Sequence, residues 1–434
     1  MLIIYTSHNN ARFSYIAETI LRIAGIQSFA ITTDIDEYKQ SIAAAVNYSD
    51  APVKVDEVWI APRGLLSETS IREQPIQCFT WNTYPVFFET KGSMPFDIFA
   101  ASFYLLSRYE EYLPHEKDTY GRYAHNNSLA HQQGFLQLPL VNIWVVDFVK
   151  LLKEKFPALS VQPNAFRFQP TYDIDIAYSY LHQPFLKNLG GFYKDLFTGQ
   201  WKQLAERANV YSGWRKDPFD TYDWLDELHS QYHLQPIYFF LLAAQRKGVD
   251  KNVPPNTKAM QELVKRHAEK YATGIHPSWQ SGDSEKLLAQ EIALLQAYTG
   301  QAVTRSRQHY VRMHLPGTYR ILLQQGIQED YSMGYGSING FRASVASAFF
   351  WYDLEKEQQT TLQVWPFCWM EANSFFEQGY SAEQGFEELQ QYHNVVKQVN
   401  GLLMTLEHNH FVTEQPQWVD WRNGYKAFLQ RNFG

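Results

Sequence analysis

An unbroken apolar run over 2–6 (Leu-Ile-Ile-Tyr-Thr) has the pattern of a strand buried on both faces. Residues 11–25 then place apolar side chains at helical spacing and close on Gly25. A second apolar stretch at 53–61 predicts another strand. Residues 96–113 predict a strongly amphipathic helix stopped by Pro114, and 139–153 a buried helix with Pro139 at its start. Together these elements predict a small α/β unit that ends near residue 160. The polar stretch 160–164 (Ser-Val-Gln-Pro-Asn) has the composition of a linker, which sets the expected boundaries at 1–162 and 163–434.

Beyond the linker the pattern alternates. Apolar strand candidates lie at 166–172, 235–242, 272–276, 302–309, 363–369 and 401–407, with helical patterns between them, for example at 258–271 and 284–300. Apolar strands alternating with helices predict a parallel sheet covered by helices. The length of this region suits a closed or partly closed (β/α) barrel. The expected fold class is therefore α/β, such a barrel preceded by a smaller α/β domain.

Composition narrows the possibilities. The 434 residues are 45% apolar and 19% charged, with 12 Trp, 28 Tyr and 29 Phe, so a folded chain with enough apolar mass for two cores is expected. The net charge of −7, with no Lys/Arg cluster, argues against a nucleic-acid partner. The first residues lack the basic and apolar segments of a secretory signal, and no run reaches membrane-span length. The two cysteines, Cys78 and Cys368, stand far apart, which fits a reduced, cytoplasmic setting.

Chemistry gathers where these strands end. Residues 170–178 read Pro-Thr-Tyr-Asp-Ile-Asp-Ile-Ala-Tyr. Alternation puts Asp173 and Asp175 on one face, and two carboxylates that close require a proton or a cation between them. Later strand ends carry His276, then Arg305, Arg307 and His309, then Glu329 and Asp330, then Arg342, and finally Glu407, His408 and His410. Each alone has an ordinary structural explanation: a turn pair, a hydrogen-bonded imidazole, an ion pair. Their convergence at successive strand ends points to a site.

Those motifs resemble the polysaccharide deacetylases (NodB-homology, carbohydrate esterase family 4), above all a divergent Bacteroidetes-type branch with an N-terminal accessory domain. The resemblance covers about 165–415 and implies a distorted (β/α) barrel for that region. Thr171-Tyr172-Asp173-Ile174-Asp175 is similar to the family's first motif, which implies Asp173 as general base and Asp175 as metal ligand. His276 resembles the first His of a His-x-x-x-His pair. Arg307 resembles the Arg that orients the base, Asp330 the Asp that holds that Arg, and His408 the general acid. Gln280 stands where the second metal His of the family should be, and His309 is the candidate replacement.

The resemblance implies a divalent metal, zinc first and cobalt, nickel or manganese next, held by Asp175, His276 and His309. It implies hydrolysis of an acetyl group on an amino sugar or acetylated saccharide. The backbone N–H of Trp279 or of a neighbouring residue is an expected oxyanion donor. Tyr172, Trp279, Tyr310 and Arg342 are the expected substrate contacts. Two alternatives stay open: a metal-free carbohydrate-binding pseudo-enzyme, and an amidohydrolase acting on a small non-sugar amide. In the N-terminal part, 107–111 and 118–122 carry balanced charge, which reads as a face docking on the barrel or, alternatively, as a segment that closes one side of the cleft and selects substrate.

Overall fold

The computed structural model describes residues 1–184 and 201–434. In the N-terminal region β1 (Leu2–Thr6), β2 (Phe29–Thr32), β3 (Ala44–Tyr48) and β4 (Val58–Trp59) form a parallel sheet in the order β2-β1-β3-β4. The helix Ala11–Ala24 is capped by Asn10, which accepts from the Phe13 N–H. It ends on Gly25 at φ 72°, where a Cβ would lie 2.0 Å from the Gln162 carbonyl oxygen, so only glycine fits. β5 (Phe79–Trp81) and β6 (Tyr84–Val86) form a short hairpin.

Two expectations for this region are corrected. The strand expected at 53–61 shrinks to β4, because the Val53 N–H is captured by the Glu57 carboxylate at 2.7 Å rather than by a neighbouring strand. The helix expected at 96–113 runs only over Ile98–Leu106. The chain breaks at Arg108, whose φ is 55°, and continues as a 3-10 turn over Tyr109–Tyr112. Burial of the Arg108 guanidinium among Glu110, Glu111 and the Arg342 carbonyl outweighs continuation of the helix.

The second sheet has nine strands: β7 (Arg167–Ile174), β8 (Ile237–Phe240), β9 (Ala272–Ile275), β10 (Arg305–Ser306), β11 (Glu329–Asp330), β12 (Phe349–Asp353), β13 (Gln358–Val364), β14 (Trp369–Met370) and β15 (Leu402–His408). Their order is β12-β13-β11-β10-β9-β8-β7-β15-β14, and every pair is parallel except the β12–β13 hairpin. Helices Lys258–Ala268 and Glu285–Thr299 pack on β9, and Ala382–Gln398 packs on β15. β12 and β14 are not paired to each other, so the sheet is open and no closed barrel is formed among the described residues. One run expected at 363–369 divides into β13 and β14, since Pro366 lies between them and cannot donate to a ladder. The run expected at 302–309 keeps only two strand residues, because the chain turns into the site from Arg307 onward.

The β12–β13 hairpin, which the apolar pattern did not reveal, joins the two regions. Tyr15 Oη donates to the Phe350 carbonyl at 2.8 Å, and Arg12 Nε meets Glu357 at 2.9 Å. One continuous apolar core runs through both regions, with Phe103 and Tyr352 in edge contact at 5.2 Å between ring centroids. No helix among the described residues is long and apolar enough to cross a membrane.

Candidate metal and catalytic site

Parallel strands bring their carboxyl ends to one edge of the sheet, and the polar residues there meet. Asp173, the penultimate residue of β7, is in register with His408 of β15. His276 follows β9, and Arg307 and His309 follow β10. The cavity between them measures about 400 Å³ and is lined by Asp173, Asp175, His276, His408 and His410 together with aromatic groups.

Asp173 and Asp175 share a face of the chain, as alternation requires. Both reach His276 Nε2, at 3.5 and 3.1 Å. His309 Nε2 approaches Asp175 Oδ2 at 3.4 Å, and His408 Nε2 approaches it at 3.6 Å. Ligand atoms of Asp175, His276 and His309 all lie within 4.8 Å of one another, which makes these three a candidate metal site.

The donor set fits a divalent ion. His276 Nδ1 lies 2.6 Å from the Arg307 carbonyl oxygen, which can only accept, so this nitrogen carries a proton and the other nitrogen, Nε2, points into the site. His309 Nδ1 is held in the same way by Asp250 at 2.8 Å. Such outward anchoring is what orients imidazole ligands. Asp175 Oδ1, although 3.1 Å from His276, is buried with no hydrogen-bond partner. His276 and His309 thus converge through their Nε2 atoms on the two oxygens of one carboxylate. Burial raises the Asp175 pKa, but His309, His276 and His408 outweigh it and hold the carboxyl well below its ordinary value. Burial alone would lower His309, yet Asp175 and Asp250 lift it to about 9. Gln280 precedes the 3-10 turn Ser281–Asp283 and is not among these three groups.

Arg307 is fully buried between the rings of Phe239 and Phe367. Its Nη1 reaches Asp173 at 3.2 Å and Thr171 Oγ1 at 2.5 Å, and its Nε donates to the Tyr331 carbonyl at 2.9 Å. The expected Asp330–Arg307 pair is not formed. Asp330 accepts instead from the Ser332 N–H and hydroxyl, both at 2.9 Å, and burial raises its pKa to about 6. His408 is oriented by Glu371, whose Oε1 accepts from its backbone N–H at 2.5 Å and lies 2.8 Å from Nδ1. Burial alone would lower His408, but the Glu371 carboxylate lifts it to about 10, so the ring is protonated at neutral pH.

The expected substrate contacts fare differently. Tyr310 lines the cavity at φ 60°. Tyr172 does not, because it alternates with Asp173 and faces outward, where its hydroxyl meets His229 at 2.9 Å and Tyr425 at 2.6 Å. Trp279 lies behind Tyr310, with ring centroids 5.9 Å apart, and its N–H, expected to face an oxyanion, is taken by Asp250 at 3.0 Å. Arg342 is buried away from the cavity in a bidentate pair with Glu111, at 2.8 and 2.6 Å. The chain after β11 leads toward the N-terminal region, which carries Arg342 with it.

Several groups at the site carried no assigned role. Glu371 follows β14 and positions His408. Asp250 comes from a loop and had no motif around it. His410 lies two residues beyond His408, lines the cavity and has an unpartnered Nδ1; burial first, then the neighbouring His408, lowers it to about 3. Phe376 and Phe411 add apolar lining, and Tyr120 and Arg122 arrive from the N-terminal region.

A model of a family of unknown function (DUF7033) matches residues 2–157. No curated protein matches the chain. Among solved structures it is similar to a Mycobacterium smegmatis protein named as a polysaccharide deacetylase, with 12% identity and a TM-score of 0.40, over 63% of this chain and 86% of that one. A polysaccharide deacetylase from Bacillus cereus is similar at 11% identity and a TM-score of 0.32, over 61% and 88%. An allantoinase is similar at 12% identity and a TM-score of 0.39, over 62% and 83%.

Proposed function

We propose that this chain is a metal-dependent hydrolase that removes an acetyl or similar acyl group from an amino sugar or acetylated saccharide. The observation that carries this is the buried Asp175 carboxylate, whose unpartnered Oδ1 faces the anchored His276 at 3.1 Å while the anchored His309 Nε2 lies 3.4 Å from its Oδ2. Three N/O ligands with room for a further one suit zinc, with cobalt, nickel or manganese as substitutes. When bound, such an ion polarises a carbonyl and acidifies water.

The remaining roles follow from the chain's own groups. Asp173 opens on the cavity and lies 3.2 Å from Arg307, whose position is set by Thr171, Tyr331 and two aromatic rings. It is the base that takes a proton from the attacking water. His408, in register with Asp173 on the adjacent strand and protonated through Glu371, gives its Nε2 proton to the leaving amine. Base and acid thus sit side by side on neighbouring strands, as one hydrolysis step requires. The metal-free alternative leaves the Asp175 oxygen buried without a partner, an arrangement that costs stability.

Metal analysis of the purified protein, paired with acetate release from acetylated chito-oligosaccharides with and without added zinc or cobalt, tests the proposal. Stoichiometric metal and metal-dependent acetate release are expected. Protein that binds no divalent ion and releases no acetate under any of these conditions would overturn it.

A further inference from the structure

Residues 117–123 of the N-terminal region form a tight hairpin, bridged between Lys117 and Tyr123. Asp118 ties its tip by accepting from the N–H groups of Tyr120 and Arg122, both at 2.9 Å. Arg122 is buried and forked. Its Nε meets Asp118 Oδ2 at 2.6 Å, and its Nη1 donates to the Tyr310 carbonyl at 2.8 Å. The seat is built for it, since a Cβ on Gly336 would fall 1.9 Å from Arg122 Nη1. This brings the Tyr120 ring to 5.2 Å from the Tyr310 ring. Both rings are only partly buried, Tyr310 at 36% exposure, and both line the cavity, so neither serves as core filling. Arg122 is already neutralised by Asp118, and the cavity also holds Asp173, Asp175 and Glu377. Of the cavity's cationic groups, Arg122 is paired with Asp118 and His408 with Glu371, so the wall of Tyr120, Tyr310 and Arg122 offers ring faces and no unpaired cation.

We infer that Tyr120 and Tyr310 form a stacking wall for an uncharged sugar ring, so that the N-terminal region supplies substrate selection to the site. This rests on the hydrolase proposal for the chemistry but not for the binding. Aromatic faces accept the apolar face of a sugar, and an aromatic contact of this kind is worth about tenfold in affinity.

The test is steady-state kinetics on tri-N-acetylchitotriose with zinc-loaded protein, alongside calorimetric titration of the same sugar into zinc-loaded protein made inactive by Asp173→Asn. Tyr120→Ala is expected to raise KM and Kd about tenfold, with kcat within about twofold and zinc content unchanged, and Tyr120→Phe to restore both. A Tyr120→Ala protein that binds the sugar as tightly as its parent, or no sugar binding in either, overturns the inference. Binding that weakens in Tyr120→Ala while wild type releases no acetate upholds the wall and removes the hydrolase proposal alone.

Discussion

Two buried clusters of charge among the described residues are finished differently. Where the two regions meet, Arg108, Glu110, Glu111 and Arg342 interlock. Arg342 forks onto both oxygens of Glu111, Arg108 reaches Glu111 and Glu110 at 2.7 Å each, and Glu110 Oε2 accepts from the Leu129 N–H. At the strand ends, Asp173, Asp175, His276, His309, His408 and Arg307 lie as close together, yet Asp175 Oδ1 has no hydrogen-bond partner; His276 Nε2 faces it, and the Nε2 atoms of His309 and His408 face Oδ2. Buried charge is tolerated when every lone pair is answered. The first cluster meets that condition and is structural. The second leaves a gap that opens on a cavity, and the gap is where chemistry can occur.

The contrast is open to mutation. The largest effect is expected at the open cluster. Asp173→Asn should lower kcat by about 10²- to 10⁴-fold while leaving zinc content and the urea midpoint close to wild type. Steady-state kinetics, metal analysis and a denaturation curve check this together. The closed cluster should respond in stability instead. Glu111→Gln leaves two buried guanidinium groups short of a partner and should cost about 3–5 kcal/mol in urea unfolding.

Acid should distinguish the clusters as well. Burial works to raise the Glu111 pKa, but Arg342 and Arg108 lower it from 4.5 to about 2. A carboxyl depressed in the folded state stabilises the protein fully above its unfolded pKa and loses that contribution as pH falls toward its folded pKa. Between about pH 4.5 and 2 wild type should therefore lose about 3 kcal/mol that Glu111→Gln never had, visible as converging urea midpoints. The smallest effect concerns the support of the open cluster. Asp250→Asn weakens the anchor of His309 and should reduce zinc affinity about 10- to 100-fold, measured by competition with a chelator, without changing the stability of the zinc-free protein by more than about 1 kcal/mol. A loss of stability on the scale of Glu111→Gln would show that Asp250 belongs with the closed cluster.

Much of this was legible along the chain because it is local. The capped helix ending on Gly25, the parallel strands of the second region and the polar residues at their ends follow from periodicity and from glycine and proline chemistry. The neighbouring faces of Asp173 and Asp175 follow from strand alternation. That same alternation excludes Tyr172, whose ring turns outward to His229. Asp330 answers Ser332, two residues on, so a partner across the sheet was not needed.

Other features depend on where distant segments arrive. Asp250 and His309 are 59 residues apart, and nothing in the loop around Asp250 signals their bond. Arg342 looks like a strand-end residue in sequence, but the chain carries it 231 positions from its partner Glu111. Tyr120 and Arg122 belong to a different region of the chain from the strand ends whose cavity they line.

By itself the sequence determined which residues could do chemistry and which strand ends would present them, because spacing of 2.0 and 3.6 residues is a local property of the backbone. The tertiary structure alone decided which charges were satisfied, which carboxylate oxygen was left bare, and which wall the N-terminal hairpin would form. Those outcomes depend on which groups segments far apart in the chain bring within about 3 Å of each other, the range over which hydrogen bonds form.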